Sequence, residues 1–153
     1  PPQSPPEPGG EAAVVRQFQQ WLQERPQQQP AEPQVFLAPG ERVGLREARK
    51  RLGEMVAVVN DENGWQEVIR LAVLILESIP KEPTALAALA EADYALGNLQ
   101  AAVSYLSHAV DAAPQQGAFY LRLIHWCREA GNEQGAETII RLMQQRGVGI
   151  TVV

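Results

Sequence analysis

Apolar residues recur at helical spacing along most of this chain. Near the N terminus, four of them fall at positions i, i+4, i+7 and i+8: Val14, Phe18, Trp21 and Leu22. This spacing predicts a short amphipathic helix over residues 11–25, ended by Pro26. From Leu45 onward the helical pattern continues to the end of the chain and predicts six more helices. They span residues 45–60, 65–78, 83–96, 99–112, 118–130 and 133–146.

Residue pairs typical of turns separate the two helices of each successive pair. These are Asn63-Gly64, Gly97-Asn98 and Gly131-Asn132. Proline use divides the chain, because nine of the twelve prolines lie before residue 40. The composition therefore predicts four segments. They are a disordered Pro-rich tail (1–10), the amphipathic helix (11–25), a Pro/Gln-rich linker (26–44) and a helical domain (45–153).

The predicted helices repeat with a period of 34 residues. Gly97-Asn98 returns as Gly131-Asn132, and Pro114 corresponds to Pro80. A fixed period in this range is typical of repeat arrays, in which each helix pair buries its apolar side against neighbouring pairs. The register gives three repeats, at 49–82, 83–116 and 117–150.

The middle repeat places large, small and turn-forming residues in a distinctive order: Leu86, Leu89, Ala90, Gly97, Ala102, Leu106, Ala109 and Pro114. At these positions it resembles the tetratricopeptide repeat (TPR) family. The third repeat matches at Tyr120, Leu123, Gly131, Ala136 and Ile140, and the first at Leu52, Met55 and Pro80. The resemblance implies an all-α fold. That fold is a superhelix of three TPR-like helical hairpins, with an N-terminal tether and an extra amphipathic helix.

The TPR resemblance also implies where a partner binds. In that family, fixed positions on the first helix of each pair line a concave groove. Carried onto this sequence, the groove residues are Lys50, Glu54, Asn60, Thr84, Glu91, Tyr94, Leu121, Arg122, His125 and Arg128. Asp61 and Glu129 occupy further groove positions.

Three of the groove residues, Arg122, His125 and Arg128, are spaced at i, i+3 and i+6 and share roughly one helix face. They are candidates to hold a carboxylate of the partner. The alternative is that they only solvate the groove. One TPR subgroup grips C-terminal carboxylates with a five-residue clamp, but only Arg122 of that clamp is present here, so this ligand is rejected.

No catalytic, metal or cofactor site is predicted, and the chain is expected not to be an enzyme. His125, Cys127 and Glu129 alternate along one predicted helix, and residues two apart on a helix point in roughly opposite directions. Cys127 falls on a core position and is expected to be a small buried hydrophobe. Trp65 is expected to pack between helices rather than to bind a ligand.

Charge and hydropathy narrow the expected partners to proteins. The formal net charge is −5 and the pI is about 5.1, which argues against general binding to nucleic acid or to an acidic membrane surface. The longest apolar run, residues 71–76, is far shorter than the ~20 residues that a membrane-spanning helix needs. The chain opens with Pro1 rather than Met, so it is expected to be a processed form or a fragment. Cytoplasmic, periplasmic and tethered locations all stay open.

Three hypotheses for function follow from these patterns. The leading one is a non-enzymatic adaptor that binds a segment of a partner protein in the groove. The second is a self-associating assembly or a chaperone-like subunit. It would use the N-terminal helix, including its exchange between copies, and apolar residues of the last helix such as Ile139, Ile140, Leu142 and Met143. The third is the interaction domain of a longer enzyme or of an envelope-anchored protein. The 11–25 helix is expected to cover one end of the array, with occupation of the groove as the alternative.

Overall fold

The structure is a computed structural model that describes residues 8–24 and 31–149. The chain divides into two compact units, Pro1–Glu32 and Pro33–Val153. No helix in the described ranges is both long and apolar enough to cross a membrane. Each unit is described below by itself.

The first unit contains helix α1 (Pro8–Glu24). The predicted amphipathic helix is present, but it begins three residues early, so the prediction of a disordered tail is wrong for residues 8–10. Proline is well tolerated in the first helical turn, where its missing N–H costs nothing. Five apolar side chains on α1 are exposed, and the rings of Phe18 and Trp21 stack with centroids 5.9 Å apart. Whether α1 covers the array or occupies its groove stays a prediction.

The second unit begins with a β-hairpin, in place of the linker predicted over residues 26–44. Strands β1 (Gln34–Ala38) and β2 (Glu41–Gly44) pair antiparallel, with Gly40 in the connecting turn at φ +82°. Val35 is fully buried and lies opposite Val43. The linker prediction is therefore wrong for residues 34–44, and residues 25–30 lie outside the described part of the chain. Leu37 and Val43 are partly buried against the same core cluster as Val35.

Six helices follow the hairpin, in the order that the sequence predicts. They are α2 (Leu45–Val58), α3 (Glu62–Ser78), α4 (Pro83–Ala95), α5 (Leu99–Ala112), α6 (Gly117–Glu129) and α7 (Glu133–Gln145). Each helix packs against its neighbours in sequence, and α2 also contacts α4. The helices therefore form three successive hairpins: α2–α3, α4–α5 and α6–α7.

The β-hairpin covers the first of these helix pairs. Val35 packs in one core cluster with Leu52 of α2 and Val68 of α3. The backbone N–H of Phe36 donates a hydrogen bond to Ser78 Oγ at 3.2 Å. Apolar surface of α2 and α3 that would face solvent at the start of the array is thus buried by this hairpin.

The start of α3 differs from its predicted position. The helix begins at Glu62, so Asn63-Gly64 lie in its first turn and do not form the predicted turn between helices. Asp61 caps the helix, because its side chain accepts a hydrogen bond from the Gly64 N–H at 2.7 Å. A Cβ added at Gly64 would lie 2.6 Å from Val59 Cγ2. Glycine at position 64 thus leaves room for the Val59 side chain.

The other two predicted turns are confirmed. Gly97 and Gly131 follow α4 and α6 with φ of +88° and +75°, a region that glycine adopts without steric cost. The N–H of Asn98 donates to the Asp93 carbonyl at 2.7 Å, which closes the helix end in a Schellman motif. Gly147 ends α7 in the same way, at φ +65°.

Small residues bring the helices of the middle pair together. Ala90, Ala102 and Ala109 are fully buried, and α4 and α5 pack along their length. Cys127 is also buried, and desolvation raises the pKa of its thiol. On α7, Ile139, Ile140 and Leu142 are partly buried against the core and Met143 is buried within it. Self-association through this helix stays a prediction.

A buried carboxylate fixes the position of α4 relative to α2. Glu82 is 2% exposed, and its Oε2 accepts a hydrogen bond from the Ala85 N–H at 2.7 Å, which caps α4. Its Oε1 accepts a hydrogen bond from Arg49 Nε at 2.8 Å. One side chain thus satisfies a helix terminus and ties together the first helices of two successive pairs.

Candidate functional site

The candidate site is built on the first helices of the three pairs, α2, α4 and α6. Lys50 and Glu54 lie exposed on α2, and Thr84, Glu91 and Tyr94 are partly buried on α4. The residues on α6 are Leu121, Arg122, His125 and Arg128. We call the side chains of these nine residues the first-helix face. The tenth predicted groove residue, Asn60, lies after the end of α2.

A bidentate ion pair links α4 to α6. Arg122 Nε donates to Glu91 Oε1 at 2.8 Å, and Arg122 Nη2 donates to Glu91 Oε2 at 2.9 Å. The two parallel hydrogen bonds match the planar guanidinium to the carboxylate, which is the strongest geometry for this pair. The hydrogen bonds that Arg122 donates to Glu91 raise the pKa of Arg122 above its ordinary value, so the arginine stays charged.

Two aromatic rings lie beside this ion pair. Tyr94 of α4 and Trp126 of α6 stack with centroids 5.0 Å apart and planes 11° apart. Arg122 Cζ lies 5.2 Å from the Tyr94 centroid and 5.1 Å from that of Trp126. Both distances are within the range of cation–π attraction. Trp126 is fully buried, and its Nε1 has no hydrogen-bond partner among the described residues.

Glu129 completes the cluster at the end of α6. The Tyr94 hydroxyl donates to this carboxylate, with distances of 2.8 and 3.0 Å to its two oxygens. This hydrogen bond is the main cause that raises the pKa of Tyr94, with desolvation second. His125 Nε2 lies 3.8 Å from Glu129 Oε2. We call Glu91, Tyr94, Arg122, Trp126 and Glu129 the junction cluster.

The three basic residues on α6 do not form the free basic surface that the sequence suggested. Arg122 is paired with Glu91, and His125 lies beside Glu129. Arg128 Nε is 3.6 Å from Glu133, at the start of α7. Each of the three residues therefore lies beside an acidic residue of the chain itself, and whether they also hold a carboxylate of a partner stays a prediction. Of the predicted groove residues, the structure brings together Glu91, Tyr94, Arg122 and His125.

The junction between the first and second pairs is built differently. One period earlier in sequence, the junction cluster corresponds to five small residues: Ala57, Asn60, Ala88, Ala92 and Ala95. Ala88 and Ala92 are buried, and the backbones of α2 and α4 approach closely. A cluster of large side chains holds α4 and α6 together. At the corresponding positions α2 and α4 pack through small residues, and the Arg49–Glu82 pair links these two helices at the start of α4.

A cavity of about 560 Å³ opens at the turn end of this first junction. Its lining residues are Asn60, Asp61, Glu62, Trp65, Gln66, Ala95, Leu96 and Asn98, and we call it the turn pocket. In the next junction, the residues equivalent to Asn60 and Ala95 are Tyr94 and Glu129. The hydrogen bond between Tyr94 and Glu129 closes the position that is open in the first junction. The expectation that Trp65 packs between helices holds, since it contacts the core, but the residue also lines this pocket.

The described residues contain no group of three or more His, Cys, Asp or Glu side chains placed to hold a metal ion. In the junction cluster, Arg122 is hydrogen-bonded to Glu91 and Tyr94 to Glu129, while Trp126 stacks on Tyr94. The arrangement is suited to holding helices in register and to presenting a surface.

No protein-family model matches the sequence, and no curated protein matches it. Among solved structures, the chain is similar to a mutant of MamA, a TPR-containing protein, with a TM-score of 0.56. The match covers 91% of this chain and 90% of that chain. The fold is TPR-like. At 15% identity the likeness shows the fold alone, and it confirms the predicted class of helical-hairpin array.

Sequence reasoning missed the central residue of the TPR-like junction. Trp126 lies outside the family's groove positions, so the resemblance gave no reason to select it. A signal was available in the spacing, since Glu91 and Arg122 are 31 residues apart and Tyr94 and Trp126 are 32 apart. Residues 31 or 32 positions apart, slightly fewer than the 34-residue repeat period, lie on facing turns of two successive first helices. Opposite charges and paired aromatic residues at these separations indicate contact across a junction.

Proposed function

We propose that this chain is a non-enzymatic interaction module that binds a segment of a partner protein on its first-helix face. The TPR-like fold supports the proposal, because the curvature of such arrays creates extended binding surfaces. The proposal assigns the chain no catalytic step. It places recognition on side chains that project from three adjacent helices.

The observation that carries the proposal is the composition of the first-helix face. Leu121 is a large apolar residue with 45% of its surface exposed. The neighbouring helix α4 offers smaller side chains, including Thr84 and Ala87, while Lys50 and Glu54 remain exposed on α2. An apolar anchor beside small residues, with charges at the margin, is the usual anatomy of a protein-binding surface.

The junction cluster gives this face a fixed geometry before a partner arrives. Its ion pair and its stacked rings hold α6 at a defined distance from α4. Binding to a surface that is already ordered avoids part of the entropic cost of association. The cluster therefore supports recognition by positioning Leu121 and His125 rather than by contacting the ligand through Arg122.

Two matched substitutions test the proposal. Leu121→Glu places a charge on the first-helix face, and Val73→Glu places one on α3, a second helix, at a residue that is 39% exposed. The proteins captured by the unmodified chain from its own cells are identified by mass spectrometry. The affinity of the purified partner is then measured for both variants.

We expect Leu121→Glu to weaken partner binding at least about tenfold, a loss of ~1.4 kcal/mol, and Val73→Glu to leave it unchanged. Equal effects of the two variants, or unchanged binding by Leu121→Glu, would overturn the proposal. Thermal unfolding of both variants, followed by circular dichroism, separates loss of binding from loss of the fold.

A further inference from the structure

We propose that the turn pocket binds a cationic side chain of the partner protein, with arginine preferred over lysine. The inference rests on the proposed function and deepens it, because it names the chemistry of one partner residue. The pocket lies at the edge of the first junction, next to the C-terminal ends of α2 and α4.

The charge of the turn pocket selects a cation. Asp61 and Glu62 contribute two carboxylates, and the lining residues in the described part of the chain include no lysine or arginine. Asp61 Oδ1 accepts the hydrogen bond from Gly64, which leaves Oδ2 available. Glu62 makes no ion pair with another residue of 31–149. A cation that enters the pocket meets negative charge without displacing an internal partner.

The aromatic and amide groups of the pocket favour a guanidinium. Trp65 lines the cavity and is held in place by its packing on the core of the first pair. Indole is the side chain with the strongest attraction for a cation placed over its ring. Asn60, Gln66 and Asn98 add amide oxygens that accept hydrogen bonds from the several N–H groups of an arginine.

The next junction shows the same chemistry with the cation supplied by the chain itself. There, Arg122 lies between the Glu91 carboxylate and two aromatic rings. One period earlier, Ala88 stands in the place of Arg122.

Near its turn end, the first junction has the Asp61 and Glu62 carboxylates and the Trp65 indole, none of which lies one period before a residue of the junction cluster. The guanidinium that links α2 to α4, that of Arg49, is paired with Glu82 and does not line the pocket. A partner arginine would supply the cation.

The two carboxylates also have a structural role that the test has to separate. They lie at the N-terminal end of α3, where negative charge stabilises the helix. Asp61→Asn keeps a residue that caps helices well, so Asp61→Asn with Glu62→Gln removes the charge with little change in shape. The matched control is Glu67→Gln with Glu77→Gln, which removes the same charge from exposed positions of the same helix.

The experiment is a titration of the full ¹⁵N-labelled chain, followed by NMR, with three blocked peptides. These are acetyl-Gly-Arg-Gly-amide, its lysine analogue and its neutral citrulline analogue. The chain has three tryptophans, and each indole N–H reports on one place: Trp21 on α1, Trp65 on the pocket and Trp126 on the junction cluster.

We expect the arginine peptide to shift the Trp65 indole signal in a saturable way, the lysine peptide to do so more weakly, and citrulline not at all. The signals of Trp21 and Trp126 stay in place. Affinity for the arginine peptide falls about tenfold in Asp61→Asn/Glu62→Gln and is unchanged in Glu67→Gln/Glu77→Gln. An absent Trp65 shift, an equal shift with citrulline, or equal losses in both double variants would overturn the inference.

Failure of this inference is distinguishable from failure of the proposed function. Suppose that Leu121→Glu abolishes partner binding while Asp61→Asn/Glu62→Gln binds the partner as the unmodified chain does. The proposed function is then supported and the inference about the turn pocket is overturned. If the arginine peptide binds at Trp65 but Leu121→Glu leaves partner binding unchanged, cation binding by the turn pocket is supported. The proposed role of the first-helix face in partner binding is then overturned.

Discussion

At the scale of single residues, Arg122 shows how one side chain joins several interactions. Its guanidinium edge makes two hydrogen bonds to Glu91, and Tyr94 and Trp126 both lie within cation–π distance of its Cζ. Lysine has neither the planar fork nor the stacking surface for this combination. The geometry explains why a residue at a groove position acts here as a connection between helices.

The hydrogen bond from Tyr94 to Glu129 predicts a pH dependence of stability. The pKa of Tyr94 is raised above its ordinary value of 10.0 because the neutral hydroxyl donates to the carboxylate. A raised pKa in the folded state means that this stabilisation is fully present below pH 10 and is lost as the pH rises through the folded pKa. We expect the melting temperature of the unmodified chain to exceed that of Tyr94→Phe at pH 8.

The measurement is the difference between the two melting temperatures from pH 8 to above pH 10. We expect this difference to shrink as the pH rises above 10, since the ionised phenol no longer donates a hydrogen bond. Tyr105→Phe, a partly buried tyrosine of α5, controls for the loss of a hydroxyl elsewhere. A constant difference between the unmodified chain and Tyr94→Phe would contradict the assigned bond.

At the scale of elements, the sequence predicted the helices better than their boundaries or the strands. Each helix has an apolar side that must be buried, and that requirement leaves a periodic signal over three or four turns. The β-hairpin has only one fully buried side chain, Val35, which is too few for a visible alternation. The start of α3 was misplaced because Asn63-Gly64 is a common turn sequence, whereas here the glycine avoids a clash with Val59.

The hairpin predicts a stability effect at its buried residue. Val35→Ala removes two methyl groups from a fully buried site that joins β1 to α2 and α3. We expect it to lower the free energy of unfolding by about 2 kcal/mol. The matched control is Val58→Ala, the same chemical change at a residue that is 77% exposed on α2, with an expected effect within ~0.5 kcal/mol. Urea unfolding measures both, and equal effects would show that the hairpin does not stabilise the array.

At the scale of the whole molecule, the repeat register located the helices but not the contacts between successive pairs. The register assigns equivalent positions, yet Arg122 and Trp126 on α6 correspond to Ala88 and Ala92 on α4. The contacts across a junction and the distance between its two first helices determine each other, so neither can be predicted from the repeat register alone. The register placed most of the groove positions on the three first helices, as the structure has them, while the pairing of Arg122 with Glu91 required the structure.

In a repeat array, the free energy of unfolding is approximately the sum of a contribution from each repeat and a contribution from each interface between neighbouring repeats. The junction cluster contributes to an interface between repeats, because its ion pair and its stacked rings link α4 to α6. We expect Arg122→Met, which removes the ion pair and keeps an unbranched side chain, to lower amide protection against hydrogen exchange in α6 and α7. Protection in α2 and α3, at the far end of the array, is expected to stay unchanged.

Arg141→Met on α7 is the control, since Arg141 is exposed and reaches only Glu137, at 4.0 Å on the same helix. We expect it to leave protection in all six helices of the array unchanged, because exposed pairs of this kind contribute little. A uniform loss of protection across the array in Arg122→Met would show that the three pairs unfold as one unit. Loss confined to α6 and α7 would show that the cluster couples the last pair to the others and keeps α6 in place on the first-helix face.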